Sequence, residues 1–216
     1  MKIFLRFIFT LILIVSAFLC SAYFFWYKPK FKAAKFNAYY NTVAGHSEEF
    51  DRLKLKAFSL KEFITSHNYN KEVCFLVDMS IASGKSRFFV YNLTKDSILL
   101  QGLVAHGNCD AGFQTEHSFS NKVNSGCSSL GKYKIGSSYN GRFGLAYKLY
   151  GLDSSNKNAF ERNIVLHSYS CVPEQETDPI PIRNSRGCPM VSPGFLNQLK
   201  LIINKSEKPL LLWLFK

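Results

Sequence analysis

The chain opens on a long apolar run before it changes to short, regularly interrupted segments. Residues 7–27 carry no charged side chain, and about 20 apolar residues in a helix cross the hydrocarbon core of a bilayer. Two basic residues precede this run, and an aromatic cluster followed by lysines ends it, as at a membrane interface. Residues 1–27 are therefore predicted to be a signal peptide or an N-terminal membrane anchor.

A helical pattern follows a short polar tether. Ser47 can cap a helix, Glu48 and Glu49 suit its N-terminus, and apolar residues then recur at helical spacing. The run Asn68–Asn70 ends this pattern. We predict a tether and a packing helix over residues 28–70.

From Lys71 onward, short β-type runs alternate with segments rich in Gly, Asn and Ser. The Asn140-Gly141 pair between two such runs predicts a hairpin, and a helix is predicted over Gly194–Ile203. The predicted strands are Cys74–Val77, Arg87–Leu93, Ile98–Val104, Gly131–Ile135, Leu145–Leu149, Ile164–Leu166 and Pro209–Phe215. Many short strands at regular spacing predict that residues 71–216 form a mostly β sandwich or barrel with a few peripheral helices.

Composition and charge narrow this picture. A chain of 216 residues suffices for one substantial core, and 47% hydrophobic with 19% charged residues describe a folded protein. The formal net charge of +12 predicts affinity for anionic surfaces such as acidic lipid or an acidic polymer. The basic residues are scattered and no nucleic-acid-binding motif is present, so nucleic acid is not an expected partner.

One cysteine and one histidine carry the strongest chemical signal. Cys188 follows Arg186 and Gly187; the glycine lets a turn aim the thiol, and the arginine can lower the thiol pKa or hold a carboxylate. His167 ends the apolar run Ile164–Leu166, where its imidazole can take the thiol proton. We predict that Cys188 is a nucleophile and His167 its base; the alternatives are a buried or disulfide-bonded cysteine and a core histidine.

Polar residues near strand ends predict a groove beside this pair. A second histidine also ends a predicted strand, and two short stretches of small polar residues follow it. The residues assigned to a groove for a peptide substrate are His106, Gly107, Ser120, Asn121, Ser128 and Ser129. Simple turns are the alternative interpretation of the Ser and Asn positions.

The cysteine pattern bears on disulfides and metals. The chain has six cysteines and no C-x-x-C pair, which disfavours a zinc ribbon or a thioredoxin-type site. In an exported protein, Cys109 and Cys127 are the nearest candidates for a disulfide; reduced, buried cysteines are the alternative. A zinc hydrolase using His106, Cys109, His117 and Cys171 has suitable residue types but no familiar spacing. We expect no metal and no cofactor.

The turn Ser185–Cys188, together with His167, resembles the Ser-x-Gly-Cys signature of L,D-transpeptidases with a YkuD-type catalytic domain. Further motifs occur in the order typical of the murein L,D-transpeptidase catalytic-domain branch, and the similarity covers about residues 73–192. These motifs are Val104–Gly107, Phe119–Asn121, Ser128–Gly131, Asn158-Ala159 with Arg162, and Ile164–His167. An ordered set is more specific than any one of its members.

The resemblance implies an L,D-transpeptidase-like fold that acts on peptidoglycan stem peptides in the bacterial cell envelope. Cys188 would attack the carbonyl of a diamino acid, release D-Ala and form a thioester, with His167 as general base and then acid. Ser185 and Arg186 would shape the oxyanion site, and Gly187 with the Cys188 amide would line it. No cofactor is implied. A stem peptide, a lipoprotein lysine and water are all compatible acyl acceptors, so both transpeptidase and carboxypeptidase activity fit.

This function implies a periplasmic or other extracytoplasmic location, either anchored to the inner membrane or secreted. The positive-inside rule points the other way, because more basic residues follow the apolar run than precede it. We expect export, since the chemistry suits the envelope.

The chain departs from the family pattern at two places. Ser168 stands where the family usually has glycine, and an acidic, proline-rich loop runs from Cys171 to Asn184. A disulfide between Cys171 and Cys188 would silence the enzyme, which is a hypothesis. A non-catalytic peptidoglycan-binding protein on the same fold is the alternative function.

Overall fold

The computed structural model describes residues 2–27, 48–109 and 118–216. The predicted tether, the Ser47 cap and His117 lie outside these residues. The division of the chain at positions 27 and 70 stays a prediction.

The N-terminal helix spans Lys2–Ala22 and continues as a π-helical turn over Tyr23–Tyr27. Its segment Ile8–Phe25 has a mean hydropathy of 2.4, and none of that segment is buried in the protein. Within the described residues it is the one helix long and apolar enough to cross a membrane. A signal sequence has the same properties, so both predicted roles remain.

Nine strands in the described part of the chain form one mixed sheet. They are β1 Val73–Asp78, β2 Phe88–Asn92, β3 Ser97–Gly102, β4 Val104–Ala105, β5 Gly131–Gly141, β6 Gly144–Gly151, β7 Val165–Ser168, β8 Met190–Val191 and β9 Leu211–Phe215. Their order across the sheet is β3-β2-β1-β9-β5-β6-β7-β8-β4. The pairs β1–β9 and β7–β8 are parallel, and the other pairs are antiparallel.

The sheet curls until its two edges nearly meet. Its edge strands β3 and β4 are consecutive in the chain and separated by Leu103 alone. A sheet whose first and last strands adjoin in this way is a nearly closed barrel. The mostly β fold with few helices is therefore confirmed.

Two local predictions need correction. The strand predicted over Ile98–Val104 is wrong, because the chain changes partners at Leu103: β3 pairs with β2, whereas β4 pairs with β8. The predicted hairpin is present, but β5 continues to Gly141, which pairs with Gly144. The turn residues are therefore Arg142 and Phe143 rather than Asn140 and Gly141.

The barrel interior is filled by alternate residues of the central strands. Phe75, Val77, Leu149, Leu166 and Leu212 are all completely buried there and belong to one apolar cluster. Side chains at the intervening positions point to the outer face, because successive strand residues alternate between faces. This alternation decides which residues reach the candidate site.

The lead helix, Glu48–Ser66, packs on the outer face of β1, β2 and β9. It buries Leu53, Ala57, Leu60 and Ile64 in a second apolar cluster that contains residues of those strands. Burial of each of the larger side chains, Leu53, Leu60 and Ile64, contributes about 1.5–3 kcal/mol of transfer free energy. The predicted packing helix is confirmed.

The C-terminal helix, Pro193–Lys205, follows β8 directly. Ser192 caps it by accepting a hydrogen bond from the Phe195 amide at 3.2 Å. Glu174 adds a second cap, since its carboxylate accepts bonds from the Ser192 hydroxyl at 2.6 Å and the Gly194 amide at 2.7 Å. The helix thus fixes the end of the strand that follows Cys188.

Candidate active site

The turn that carries Cys188 is braced from within by Ser185. The Ser185 hydroxyl donates to the Cys188 carbonyl at 2.6 Å and accepts from the Gly187 amide at 3.2 Å. The Ser185 backbone joins the turn to the end of β4, because its amide donates to the His106 carbonyl at 2.8 Å. Ser185 therefore fixes the turn on which the thiol stands.

Only glycine suits position 187. Its φ of +108° lies in the region that L side chains rarely adopt. A methyl group there would also lie 2.6 Å from the Cys127 carbonyl oxygen and 3.3 Å from the Arg162 guanidinium. Gly187 thus lets the turn pack closely against Arg162 and the segment that contains Cys127.

Cys188 is a free cysteine next to the start of β7. Its sulfur lies 3.5 Å from the Val165 amide nitrogen, and the thiol donates to the Asn163 carbonyl at 3.7 Å. Burial raises the pKa of this thiol, whereas the Val165 N–H and the Arg162 charge act to lower it. Burial has the larger effect, so the resting group is a neutral thiol.

His167 lies on the outer face of β7 and is 7% exposed. It pairs with Ala146 of β6 and Met190 of β8, which places it beside the strand that follows Cys188. Its Nδ1 lies 3.1 Å from the Ser168 carbonyl oxygen. A proton on Nδ1 would satisfy that oxygen and leave Nε2 as the basic nitrogen.

Burial lowers the pKa of His167, and the bond to the Ser168 carbonyl partly opposes that effect. The Phe143 ring stacks on the imidazole with centroids 5.5 Å apart. A raised thiol pKa and a lowered imidazole pKa both favour a neutral pair over a thiolate with an imidazolium. Within the described residues, no hydrogen bond joins the imidazole to the thiol.

Arg162 ties the surrounding loops to this turn. Its guanidinium donates to the Ser120 carbonyl at 2.8 Å and the Ser125 hydroxyl at 3.2 Å, and also to the Ser129 hydroxyl and the Cys127 carbonyl. Burial lowers its pKa, and the nearby Tyr133 and Cys188 oppose that shift. The sequence suggested that Arg186 could lower the thiol pKa or hold a carboxylate; in the structure, the charge that acts to lower the Cys188 pKa is that of Arg162.

Ser128 and Ser129 lie between these loops and are buried. The Ser128 hydroxyl accepts from the Gly107 amide at 2.9 Å and donates to the Gly187 carbonyl at 3.2 Å. The Ser129 hydroxyl donates to the Ser120 carbonyl at 2.9 Å. The structure therefore brings Gly107, Ser120, Ser128 and Ser129 into contact with the nucleophile turn or with one another, and His106 contacts that turn through its backbone carbonyl.

The side chains of His106 and Asn121 point away from the nucleophile turn. His106 Nδ1 lies 2.9 Å from the guanidinium of Arg87, whose pKa burial lowers to about 10. Asn121 binds the 154–158 segment, where its carbonyl accepts from the Asn158 amide group at 3.0 Å. Arg186 is exposed at the surface.

The cysteines fall into one disulfide-bonded pair and four free thiols. Cys109 and Cys127 form a disulfide, which confirms the predicted pairing, and Cys127 carries the carbonyl that contacts Gly187 and Arg162. Cys171 and Cys188 are both free in this structure. The zinc set loses Cys109 to the disulfide, and the described residues contain no cluster of three or more potential metal ligands.

The acidic loop is fastened to the barrel by its own carboxylates. Glu174 caps the C-terminal helix, Glu176 accepts from the Ser86 amide at 2.9 Å, and Asp178 lies 3.8 Å from the Lys85 ammonium. The first contact attaches the loop to the C-terminal helix, and the other two attach it to the turn that precedes β2.

The barrel thus carries a free cysteine on a glycine turn, beside a strand that bears a histidine. Together these residues form a candidate active site with a cysteine thiol. The model of the L,D-transpeptidase catalytic domain matches residues 45–213, and the chain belongs to this family. The match includes the lead helix. No curated protein matches the chain in sequence.

Several solved structures share parts of the fold at low identity. The avibactam carbamoyl form of the enzyme Ldtfm is 12% identical with a TM-score of 0.42, over 68% of this chain and 50% of that one. The helical cell shape determining protein Pgp2 from Campylobacter jejuni is 14% identical with a TM-score of 0.43, over 67% and 48%. An L,D-transpeptidase from Xylanimonas cellulosilytica is 11% identical with a TM-score of 0.37, over 71% and 68%. The chain spans about half the length of the first two proteins.

Proposed function

We propose that this protein is a cysteine-dependent L,D-transpeptidase, or L,D-carboxypeptidase, of peptidoglycan. The observation that carries the proposal is the free Cys188 on a glycine turn beside the strand of His167. Membership of the L,D-transpeptidase catalytic domain family supports it. The substrate would be a stem peptide whose diamino acid carries a terminal D-Ala.

The reaction begins with a neutral pair. The thiol leaves the Asn163 carbonyl by a change of the Cys188 side-chain rotamer and turns towards His167. Nε2 of His167 takes the proton as sulfur attacks the carbonyl carbon of the diamino acid. Burial suits this order, because it keeps the thiol protonated and the imidazole unprotonated until substrate arrives.

Collapse of the tetrahedral intermediate breaks the bond to D-Ala. His167 returns the proton to the departing amine, and the acyl group stays on Cys188 as a thioester. An amine of a second stem peptide, or water, then attacks the thioester and restores the thiol. We assign the oxyanion site to the Gly187-Cys188 backbone, with Ser185 and Arg186 at its edge.

The predicted groove residues have a supporting place in this proposal. Ser128 and Ser129 hold the loop and the nucleophile turn in register through their hydroxyl groups. We propose that they, with His106, Gly107, Ser120 and Asn121, give the groove its shape. The N-terminal helix would direct or anchor the protein to the envelope, with the barrel on the extracytoplasmic side.

The test is D-Ala release from a purified tetrapeptide stem by the full chain in detergent. Cys188→Ser should abolish release, and His167→Gln should slow it by about 10²–10⁴-fold, as expected for a general base. Cys171→Ser, which alters the other partly exposed free cysteine of the barrel, is the matched control and should release D-Ala at the normal rate. Equal release by the Cys188→Ser variant would contradict the proposal.

A non-catalytic peptidoglycan-binding protein is the second candidate. The absence of a hydrogen bond between imidazole and thiol in the described residues is the observation that favours it. Retention on peptidoglycan without any D-Ala release by the wild-type chain would support this candidate.

A further inference from the structure

Two lysines and two aromatic rings form a compact cluster on the outer face of the barrel, here called the lysine clamp. The rings of Tyr150 and Phe160 stack with centroids 5.3 Å apart and planes 10° from parallel. The Lys134 ammonium lies 4.8 Å from the Tyr150 centroid, and the Lys148 ammonium lies 5.3 Å from the Phe160 centroid. Cation–π contacts of this kind hold each ammonium group in a defined place.

The barrel is built to accommodate this cluster. Lys134 and Tyr150 are direct partners across β5 and β6. Tyr150 lies over Gly136, where a methyl group would come within 2.4 Å of its ring. Phe160 is 55% exposed, so the stack borders on solvent.

The positive charges of the clamp are not neutralised by the protein. Within the described residues neither Lys134 nor Lys148 forms an ion pair. Lys132, which lies two residues before Lys134 on the same face of β5, is paired with Asp153 at 2.7 Å. The clamp therefore presents two positioned cations to a ligand from outside.

The clamp and the candidate catalytic base share one face of the sheet. Lys148 is directly opposite Val165, and Ala146 is directly opposite His167, so all four side chains point outward. The Val165 amide lies 3.5 Å from the Cys188 sulfur. Lys148 of the clamp thus lies two residues along β6 from the partner of His167, on the face that carries the candidate site.

We propose that the lysine clamp binds carboxylates of the peptidoglycan on which the protein acts. The choice of partner rests on the proposed function. Two fixed ammonium groups suit carboxylates, which peptidoglycan stem peptides carry along the polymer. Because the clamp lies beside the site, it would hold the stretch of polymer next to the stem being processed.

The test measures binding by the full chain in non-ionic detergent, with Cys188→Ala present to prevent turnover. The probe is uncross-linked peptidoglycan fragments with free stem carboxylates. Changing Lys134→Gln and Lys148→Gln together should weaken binding roughly fivefold to tenfold. Changing both lysines to arginine keeps the charges and should preserve binding, as should Lys200→Gln on the exposed side of the C-terminal helix.

A ligand-side control uses the same fragments after amidation of their carboxylates. These should bind more weakly, and the glutamine variant should lose nothing further on them. Unchanged binding of the acidic fragments by the glutamine variant would overturn the proposal, and so would weakened binding by the arginine variant. Equally tight, lysine-dependent binding of duplex DNA or anionic lipid vesicles would overturn the assignment to peptidoglycan.

The binding test of the lysine clamp can fail or succeed independently of the proposed reaction. Thioester formation by the wild-type chain on a short stem peptide tests the reaction alone. If the chain formed no thioester but bound the fragments in a lysine-dependent way, the proposed reaction would be contradicted and the role of the lysine clamp would be supported.

Discussion

The central residues of this protein are a thiol and an imidazole whose surroundings keep both neutral. Burial raises the pKa of Cys188 and lowers the pKa of His167. A preformed thiolate would need the opposite shifts. Acyl transfer at this site is therefore expected to begin with base-assisted attack rather than with a standing ion pair.

The Phe143→Ala change should alter the pH dependence of the proposed reaction. The Phe143 ring covers the His167 imidazole, and its loss would admit water and raise the imidazole pKa towards its ordinary value of 6.5. Only neutral His167 can accept the thiol proton, so the acid limb of the kcat/KM profile should move to higher pH. Tyr139→Ala, which removes another exposed aromatic ring of the same hairpin, should leave the limb in place. An acid limb that stays fixed in the Phe143→Ala protein would contradict the role given to burial.

Arg162 offers a second test at the residue scale. Arg162→Met removes four hydrogen bonds to loop groups and should lower the free energy of unfolding by about 2–4 kcal/mol. Loss of the nearby charge should also raise the Cys188 pKa, so alkylation of that thiol at neutral pH should slow. Arg162→Lys keeps the charge but lacks the planar guanidinium group. Its rate of Cys188 alkylation should therefore be nearer to the wild-type value than its free energy of unfolding is. Thermal unfolding and mass-resolved alkylation separate the two effects.

Local sequence signals identified some of these residues and missed others. Cys188 and His167 lie in short segments whose own residues suggest thiol chemistry. Arg162 acts through partners 33 to 42 residues earlier in the chain, and no local pattern links them. Its position within the resemblance was the only sign of importance.

The same contrast holds for the secondary-structure elements. β1 and β7 are apolar runs bounded by polar residues, and their positions were predictable. The break at Leu103 was not, because it depends on which strand pairs with each side of that residue. The barrel closes at this break, so closure was visible only in the structure.

The lead helix allows an element-scale prediction. Leu60 is completely buried against the barrel, whereas Leu55 on the same helix is 70% exposed. Leu60→Ala should lower the free energy of unfolding by about 2–4 kcal/mol through the cavity it leaves, and Leu55→Ala should change it by no more than about 0.5 kcal/mol. Chemical denaturation measures both. Equal effects of the two changes would show that the helix does not pack as described.

At the scale of the whole molecule, one barrel carries the candidate site and its charged outer surface. The apolar segment Ile8–Phe25 precedes it, and the formal net charge of +12 suits an acidic polymer as partner. Both features fit the proposal that the protein acts on an acidic polymer of the cell envelope and also binds that polymer through its outer surface.

Intact-protein mass spectrometry after brief exposure to a tetrapeptide stem would detect the proposed thioester itself. We expect an adduct on the wild-type chain equal to the stem acyl group without D-Ala, located on Cys188 and removed by hydroxylamine. The Cys188→Ala protein should carry none. Release of D-Ala with no adduct in the wild-type chain, or an adduct that persists in the Cys188→Ala protein, would contradict thioester chemistry at this cysteine.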